Sequence, residues 1–288
     1  MPPPPQPTDA AVTVGESTYA VTTSGRGPAV LLLHGFPQDR SCWERVALAL
    51  AGGHTVVTSD LKGVGESRAP RGGPLGEGYA AREIAAELVD VMAQLGHERF
   101  AVAGHDRGAR VAYRMALDHP ENVERLCVLN VVPTAEQFDR LDADSALEYW
   151  PFLLLAQPEP FAERLIAADA EHVVLHILAA WAAAPDAIDA QRYVRAFTPE
   201  TIAAWCAEYR AAFHIDRRHD AEDRAAGRTI GCPLLVHWGA GEDAMDGPLA
   251  IWRRWATDVR GGPLPGGHFI PEEASSELAA SLRDFVTP

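Results

Sequence analysis

The 288-residue chain is short of several things, and each shortage argues against a class of function. It has only four cysteines, Cys42, Cys127, Cys206 and Cys232, widely spaced and with no CxxC pair. Two of them lie in apolar strand-like runs, so all four read as reduced thiols of a cytoplasmic protein. No apolar run approaches the roughly 18 residues needed to span a bilayer. The N-terminus, Met1-Pro-Pro-Pro-Pro-Gln-Pro7, lacks the basic and apolar parts of a signal peptide. It reads as a disordered polyproline tail, taken as residues 1–10. Positive charge is scarce as well. Against 40 Asp+Glu there are 25 Lys+Arg, a net charge of −15, which argues against nucleic-acid binding and against a polybasic membrane patch. No Gly-x-Ser-x-Gly occurs, so a serine esterase is disfavoured. His172 and His176 stand four apart, but no glutamate follows His172 as HExxH requires; they read as helix-surface residues, not metal ligands. Gly239-Ala-Gly-Glu-Asp-Ala244 fits a dinucleotide pattern at the wrong end of the chain, and Gly63-Val-Gly65 has no P-loop lysine. No cofactor and no metal are expected.

What is present is a large apolar fraction, 47% of residues, in a chain long enough for one α/β domain with an insertion or for two domains. Val12–Val14 and Thr18–Thr22 suggest a hairpin turning at Gly15-Glu-Ser17. Pro28–His34 is a continuous apolar run, the mark of a strand buried on both faces of a parallel sheet. A helix around Cys42–Leu50 follows, then a strand His54–Ser59, a Gly- and Pro-rich loop Arg68–Gly78 and a helix Ala80–Leu95. Phe100–Ala103 and Val123–Val132 are strands flanking a helix that Pro120 stops. From there to about Gly227 strands vanish and helical segments take over. Alternation resumes with strand Pro233–Trp238, a helix around Leu249–Ala256, a weak strand Val259–Leu264 and a last helix from Glu272 to Phe285. The pattern predicts a doubly wound, mostly parallel sheet of about eight strands, residues 11–132 and 228–288, with an inserted helical cap at 133–227. No internal repeat is seen.

The chemistry concentrates on Gly104-His105-Asp106-Arg107-Gly108, where a strand turns directly into a helix. Such a turn exposes its central residue in a strained conformation that only tiny neighbours tolerate, and here the central residue is an aspartate. Ligands of open parallel sheets bind at the carboxyl ends of strands, where Asp106, Asn130 and Glu242-Asp243 fall, and His268 sits in a late loop. Nucleophile, acid and histidine thus come in the order of the α/β-hydrolase arrangement. A carboxylate nucleophile suits attack on saturated carbon, displacing a halide or opening an epoxide, and His268 would then activate water on the resulting ester. The amides of Phe36 and Arg107 would form the oxyanion hole. Arg107 and Arg110 oppose the helix dipole, a cost that suggests use: spaced i, i+3, they could clamp a substrate carboxylate.

Several motifs carry a resemblance. His34-Gly-Phe-Pro-Gln38, Gly104-His-Asp-Arg-Gly-Ala-Arg110, Met115-Ala-Leu-Asp-His-Pro120, Leu153-Leu-Leu-Ala-Gln-Pro158, Glu208-Tyr-Arg210 and Leu264-Pro-Gly-Gly-His268 resemble the haloacetate (fluoroacetate) dehalogenases of the α/β-hydrolase superfamily, neighbours of the epoxide hydrolases. The likeness runs from about Val12 to Phe285. It implies Asp106 as nucleophile, His268 as base, Arg107 and Arg110 as carboxylate clamp, and Trp181 and Tyr209 lining the pocket from the cap, with Trp150 and Phe152 as further candidates. The family's triad acid falls on Asn130, so either asparagine orients His268 or the acid has moved to Asp243 or Glu242. The family's fluoride-binding His-Trp pair falls on Pro151-Phe152, which cannot donate hydrogen bonds. The expected function is therefore hydrolysis of small anionic 2-haloacids with leaving groups better than fluoride. An epoxide hydrolase is the alternative, although its second cap tyrosine also falls on Pro151, and a catalytically weakened binding protein is a third reading. Oligomeric state is left open, a homodimer included.

Overall fold

In the computed structural model, residues 6–240 and 247–287 are described. Eight strands form one sheet in the order β1-β2-β4-β3-β5-β6-β7-β8: β1 (Thr8–Val14), β2 (Ser17–Gly25), β3 (Ala29–Leu33), β4 (Thr55–Ser59), β5 (Phe100–His105), β6 (Val123–Leu129), β7 (Leu234–Gly239) and β8 (Val259–Leu264). β1 and β2 pair antiparallel, as do β2 and β4; all other neighbours are parallel. The central strands β3 and β5 are buried along their whole length, as their unbroken apolar runs require.

The helices α1 (Glu44–Leu50), α2 (Ala81–Gln94) and α3 (Arg107–Asp118) connect the first parallel strands. From β3 the chain steps one way along the sheet through α1 to β4, then back across β3 through α2 to β5 and onward through α3 to β6. Right-handed crossovers in opposite directions put α1 on one face and α2 and α3 on the other. The reversal brings the carboxyl ends of β3 and β5 side by side, the position where ligands settle in open α/β sheets.

Between β6 and β7 lie eight α-helices, a short 3-10 helix, a π-helical turn and no strand; the α-helices are α4 (Thr134–Asp139), α5 (Ala143–Glu148), α6 (Trp150–Leu155), α7 (Phe161–Ala168), α8 (Ala170–Trp181), α9 (Ala190–Ala196), α10 (Pro199–Ala211) and α11 (Arg217–Ala225). The chain closes with α12 (Pro248–Trp252), α13 (Ile270–Glu273) and α14 (Ser275–Val286), the last packed against α1. Among the described residues, no helix is long and apolar enough to cross a membrane.

Some sequence expectations are corrected here. The tail does not reach residue 10: β1 begins at Thr8, because Thr8, Asp9 and Ala10 find ladder partners in Thr23, Thr22 and Val21. The Thr22 hydroxyl also donates to Asp9 at 2.5 Å. β6 stops at Leu129, since Asn130 takes a positive φ of 58°. The last helix is two helices, broken at Ala274, which leaves the helical region at φ −129°.

Candidate active site

Asp106 joins β5 to α3 with φ 47° and ψ −114°, a conformation that costs a non-glycine residue about 1–3 kcal/mol. Its neighbours make the turn feasible. A Cβ at Gly104 would stand 2.4 Å from the Gly108 carbonyl oxygen, and one at Gly108 would stand 2.4 Å from those of Leu33 and His34. Any larger residue at either position would push α3 off β3 and β5. The Asp106 amide donates to Leu129 at 3.1 Å, tying the elbow to the end of β6.

The two carboxylate oxygens of Asp106 have different surroundings. Oδ1 accepts a hydrogen bond from the Phe36 amide at 2.9 Å, in the turn that follows β3. Oδ2 lies 3.9 Å from His268 Nε2, in the loop after β8. Arg107 is the first residue of α3, so its amide is among those without a helical acceptor. Burial alone would raise the Asp106 pKa. The charges of His268 and His105, the Phe36 amide and Arg107 outweigh it and hold the carboxyl below its ordinary value, ionised. His268 is fixed from several sides. Its amide donates to the Trp181 carbonyl at 2.9 Å, its carbonyl lies 2.7 Å from His105 Nε2, and its ring meets that of Trp181 edge-on at 5.1 Å.

A cavity of about 290 Å³ opens over these groups. Of the residues singled out in the sequence, Asp106, Arg110, Asn130, Phe152, Trp181 and His268 line it. Glu242 and Asp243 lie outside the described residues. Phe36 contributes its amide from below.

The two arginines part company. Arg110 lies in the cavity wall, its Nη1 donating to the Val132 carbonyl at 3.2 Å and to Thr134 Oγ1 at 3.1 Å. Its guanidinium lies 5.3 Å from the Phe152 ring, and its buried Nε has no acceptor among the described residues. Arg107 is not in the wall. Its guanidinium is wholly buried, where a cation must be compensated. Glu208 on α10 supplies this: Arg107 Nε donates to its carboxylate at 3.0 Å and Nη2 to its carbonyl at 3.2 Å, and Tyr209 covers the guanidinium at 4.9 Å. Burial lifts the Glu208 pKa to about 7 against the pull of Arg107.

Two of the aromatics singled out in the sequence also stand back from the cavity. Trp150 packs beside His176, 6.2 Å between rings. Tyr209 is buried against Phe36 and Phe152, its hydroxyl without a partner among the described residues. Burial, with Asp106 nearby, raises its pKa well above the usual tyrosine value, so it stays a protonated phenol.

The cavity wall also holds Gln137, Glu148, Tyr149, His237 and Trp238, none assigned a site role from sequence. His237, two residues before the end of β7, looks like a second base but is not one. Its ring nitrogens are occupied by Gly262 at 2.6 Å and Ser281 at 2.8 Å, and burial lowers its pKa, keeping it neutral. Glu148 and Gln137 follow no motif, and only the folding of α4 and α5 over the sheet brings them here. Among the described residues, no group of three or more His, Cys, Asp or Glu side chains could hold a metal ion.

Comparison with known proteins gives the family. The alpha/beta hydrolase fold family matches residues 28–275. The chain is 38% identical to a fluoroacetate dehalogenase from Burkholderia sp. over 283 residues, 96% of this chain and 92% of that one. It is 29% identical to a soluble epoxide hydrolase from Corynebacterium sp. (strain C12), covering 92% of each. A solved protein of this fold from Nostoc sp. PCC 7120 superposes with a TM-score of 0.94 at 40% identity, covering 98% of each chain. The fold, the elbow and these relatives together place the chain in the alpha/beta hydrolase family, as a hydrolase similar to fluoroacetate dehalogenase and to epoxide hydrolases.

Proposed function

We propose that the protein hydrolyses small 2-haloacids through a covalent ester on Asp106. The observation that carries this reading is the division of labour at the Asp106 carboxylate, with Arg110 in the wall of the same cavity. Oδ2 attacks the carbon bearing the halogen, the carbon–halogen bond breaks, and the halide leaves with the bonding electrons. In the ester, Oδ1 becomes the carbonyl oxygen and keeps its hydrogen bond from the Phe36 amide. His268 takes a proton from water, the hydroxide attacks the ester carbon, and the negative charge develops on Oδ1 in the oxyanion hole of Phe36 and Arg107. Collapse expels the 2-hydroxyacid oxygen, which takes the proton from His268, and Asp106, left as the acid, gives up its proton to solvent to return to the carboxylate. Arg110 receives the substrate carboxylate through its Nε, which has no acceptor among the described residues. Arg107 joins the clamp only through the buried Nη1, which has no acceptor among the described residues. Asn130, in the wall at the end of β6, orients His268 in place of an acid, unless Asp243 or Glu242 takes that part. Residues 133–227 serve as a cap that contributes Phe152 and Trp181. The apolar Phe152 favours chloride and bromide over fluoride as leaving groups. The free cysteines suit a reducing cytoplasm.

One observation supports epoxide hydrolysis as a second reading: the protonated Tyr209 hydroxyl, buried behind the wall residue Phe152, has no partner among the described residues and could donate to a ring oxygen from there. Chloro-, bromo- and fluoroacetate beside an epoxide panel separate the two. Turnover of epoxides alone sinks the haloacid reading. Single turnover in ¹⁸O-water should place the label on Asp106, and an unlabelled Asp106 rules out the ester for either substrate class.

A further inference from the structure

Glu273, the last residue of α13, stands five residues after His268 and outside the cavity wall. Its carboxylate gathers four backbone amides from two distant parts of the chain. Oε1 accepts from the Phe269 amide at 2.8 Å and Oε2 from that of Gly267 at 3.1 Å, so the two residues flanking His268 are both held. Oε2 also accepts from the amides of Ala183 and Ala184, each at 2.7 Å, just beyond the end of α8 and its terminal Trp181. The adjoining backbones are equally close. The His268 amide donates to the Trp181 carbonyl at 2.9 Å, and a Cβ at Gly267 would stand 2.6 Å from both that oxygen and the Ala183 amide. Gly267 is glycine because the end of α8 occupies the space a side chain would need. The neighbouring Glu272 faces elsewhere, accepting from Tyr193 and Gln38.

We propose that Glu273 is a positioning residue for the base: it clips the His268 turn and the Trp181 end of α8 into one unit and so sets where Nε2 stands over the ester. The proposal rests on His268 acting as the base of the second half-reaction. Formation of the ester needs Asp106, the cavity and a leaving group, but not a base. Hydrolysis of the ester needs His268 within reach of both a water and the ester carbon, and small displacements of a reacting group slow such a step steeply. Loss of the clip should therefore fall on the second half-reaction.

The test uses Glu273→Ala and Glu273→Gln with bromoacetate, beside wild type and His268→Gln. Halide release in the first turnover should stay within about threefold of wild type, while steady-state turnover falls roughly 10- to 100-fold in Glu273→Ala. Intact-mass spectrometry should then find the Asp106 ester accumulated, and Glu273→Gln, which keeps one carbonyl acceptor, should lie between. If Glu273→Ala does not yield soluble protein, Glu273→Gln supplies the same comparison. Unchanged steady-state turnover, or equal slowing of both steps with no ester, overturns the proposal. An ester in His268→Gln but in neither Glu273 variant overturns it as well. If no ester appears even in His268→Gln, the failure is that of the underlying reading of the site.

Discussion

Arg107 and Arg110 differ by one turn of α3, yet burial gives them different partners. A guanidinium sealed from water needs an anion beside it, and Glu208 meets that need for Arg107, taking two of its nitrogens. Among the described residues Arg110 donates to a carbonyl and a hydroxyl, both uncharged, and its place in the cavity wall sets its charge beside an anionic ligand there. Arg110→Gln should therefore raise KM for haloacetates by about 10- to 100-fold, the value of a charge-assisted hydrogen bond of about 1.5–3 kcal/mol. KM for a neutral epoxide, if one is turned over, should change little. Equal effects on both substrates would show that Arg110 only shapes the cavity. The i, i+3 spacing that suggested a symmetric clamp was legible in the sequence. The asymmetry was not, because Glu208 is 101 residues away.

At the level of elements, α13 carries two consecutive glutamates with opposed consequences. Glu273 faces backbone amides, whereas Glu272 is packed beneath the turn after β3, where it accepts from Tyr193 at 2.9 Å and from Gln38. Burial dominates at Glu272 and lifts its pKa to about 7, the two donors only partly opposing it. Between the ordinary glutamate value near 4.3 and about 7, the folded chain thus keeps a proton that the unfolded chain has lost. This contribution to stability is complete at low pH and is lost as pH rises through 7. The melting temperature of the wild type should fall more steeply from pH 5 to pH 8 than that of Glu272→Gln; parallel curves would show that Glu272 does not titrate in this window. Most strands and the helices flanking the elbow were readable from apolar runs, periodicity and Gly or Pro punctuation. The break at Ala274 was not, since no local signal marks it.

Across the whole molecule, the helical segment between β6 and β7 is bound to the sheet layer by a buried polar cluster. Arg114 on α3 donates to Asp220 at 3.1 Å and to Asp223, both on α11, while Tyr113 donates to the other oxygen of Asp220 at 2.8 Å. Tyr113 also meets the Thr134 hydroxyl at 2.9 Å, which in turn receives Arg110, so the cluster reaches the cavity wall. Arg114→Leu leaves the buried Asp220 carboxylate without its ion-pair cation, while Asp223 keeps Arg228 at 2.6 Å, and should cost about 3–5 kcal/mol, read as a lower urea midpoint. A loss under 1 kcal/mol would mean that water reaches the cluster. The sequence by itself determined the alternation of strands and helices, the Gly-flanked aspartate at the elbow, the late histidine and hence the class of chemistry. These follow from rules acting over a few residues: side-chain period, turn conformation and the steric freedom of glycine. Only the tertiary structure decided that Arg110 and not Arg107 faces the cavity, that Trp181 lines it while Trp150 does not, and that Glu273 grips the turn bearing His268. Each of those outcomes depends on which distant groups packing brings within about 3 Å of one another, and no local pattern in the chain encodes that distance.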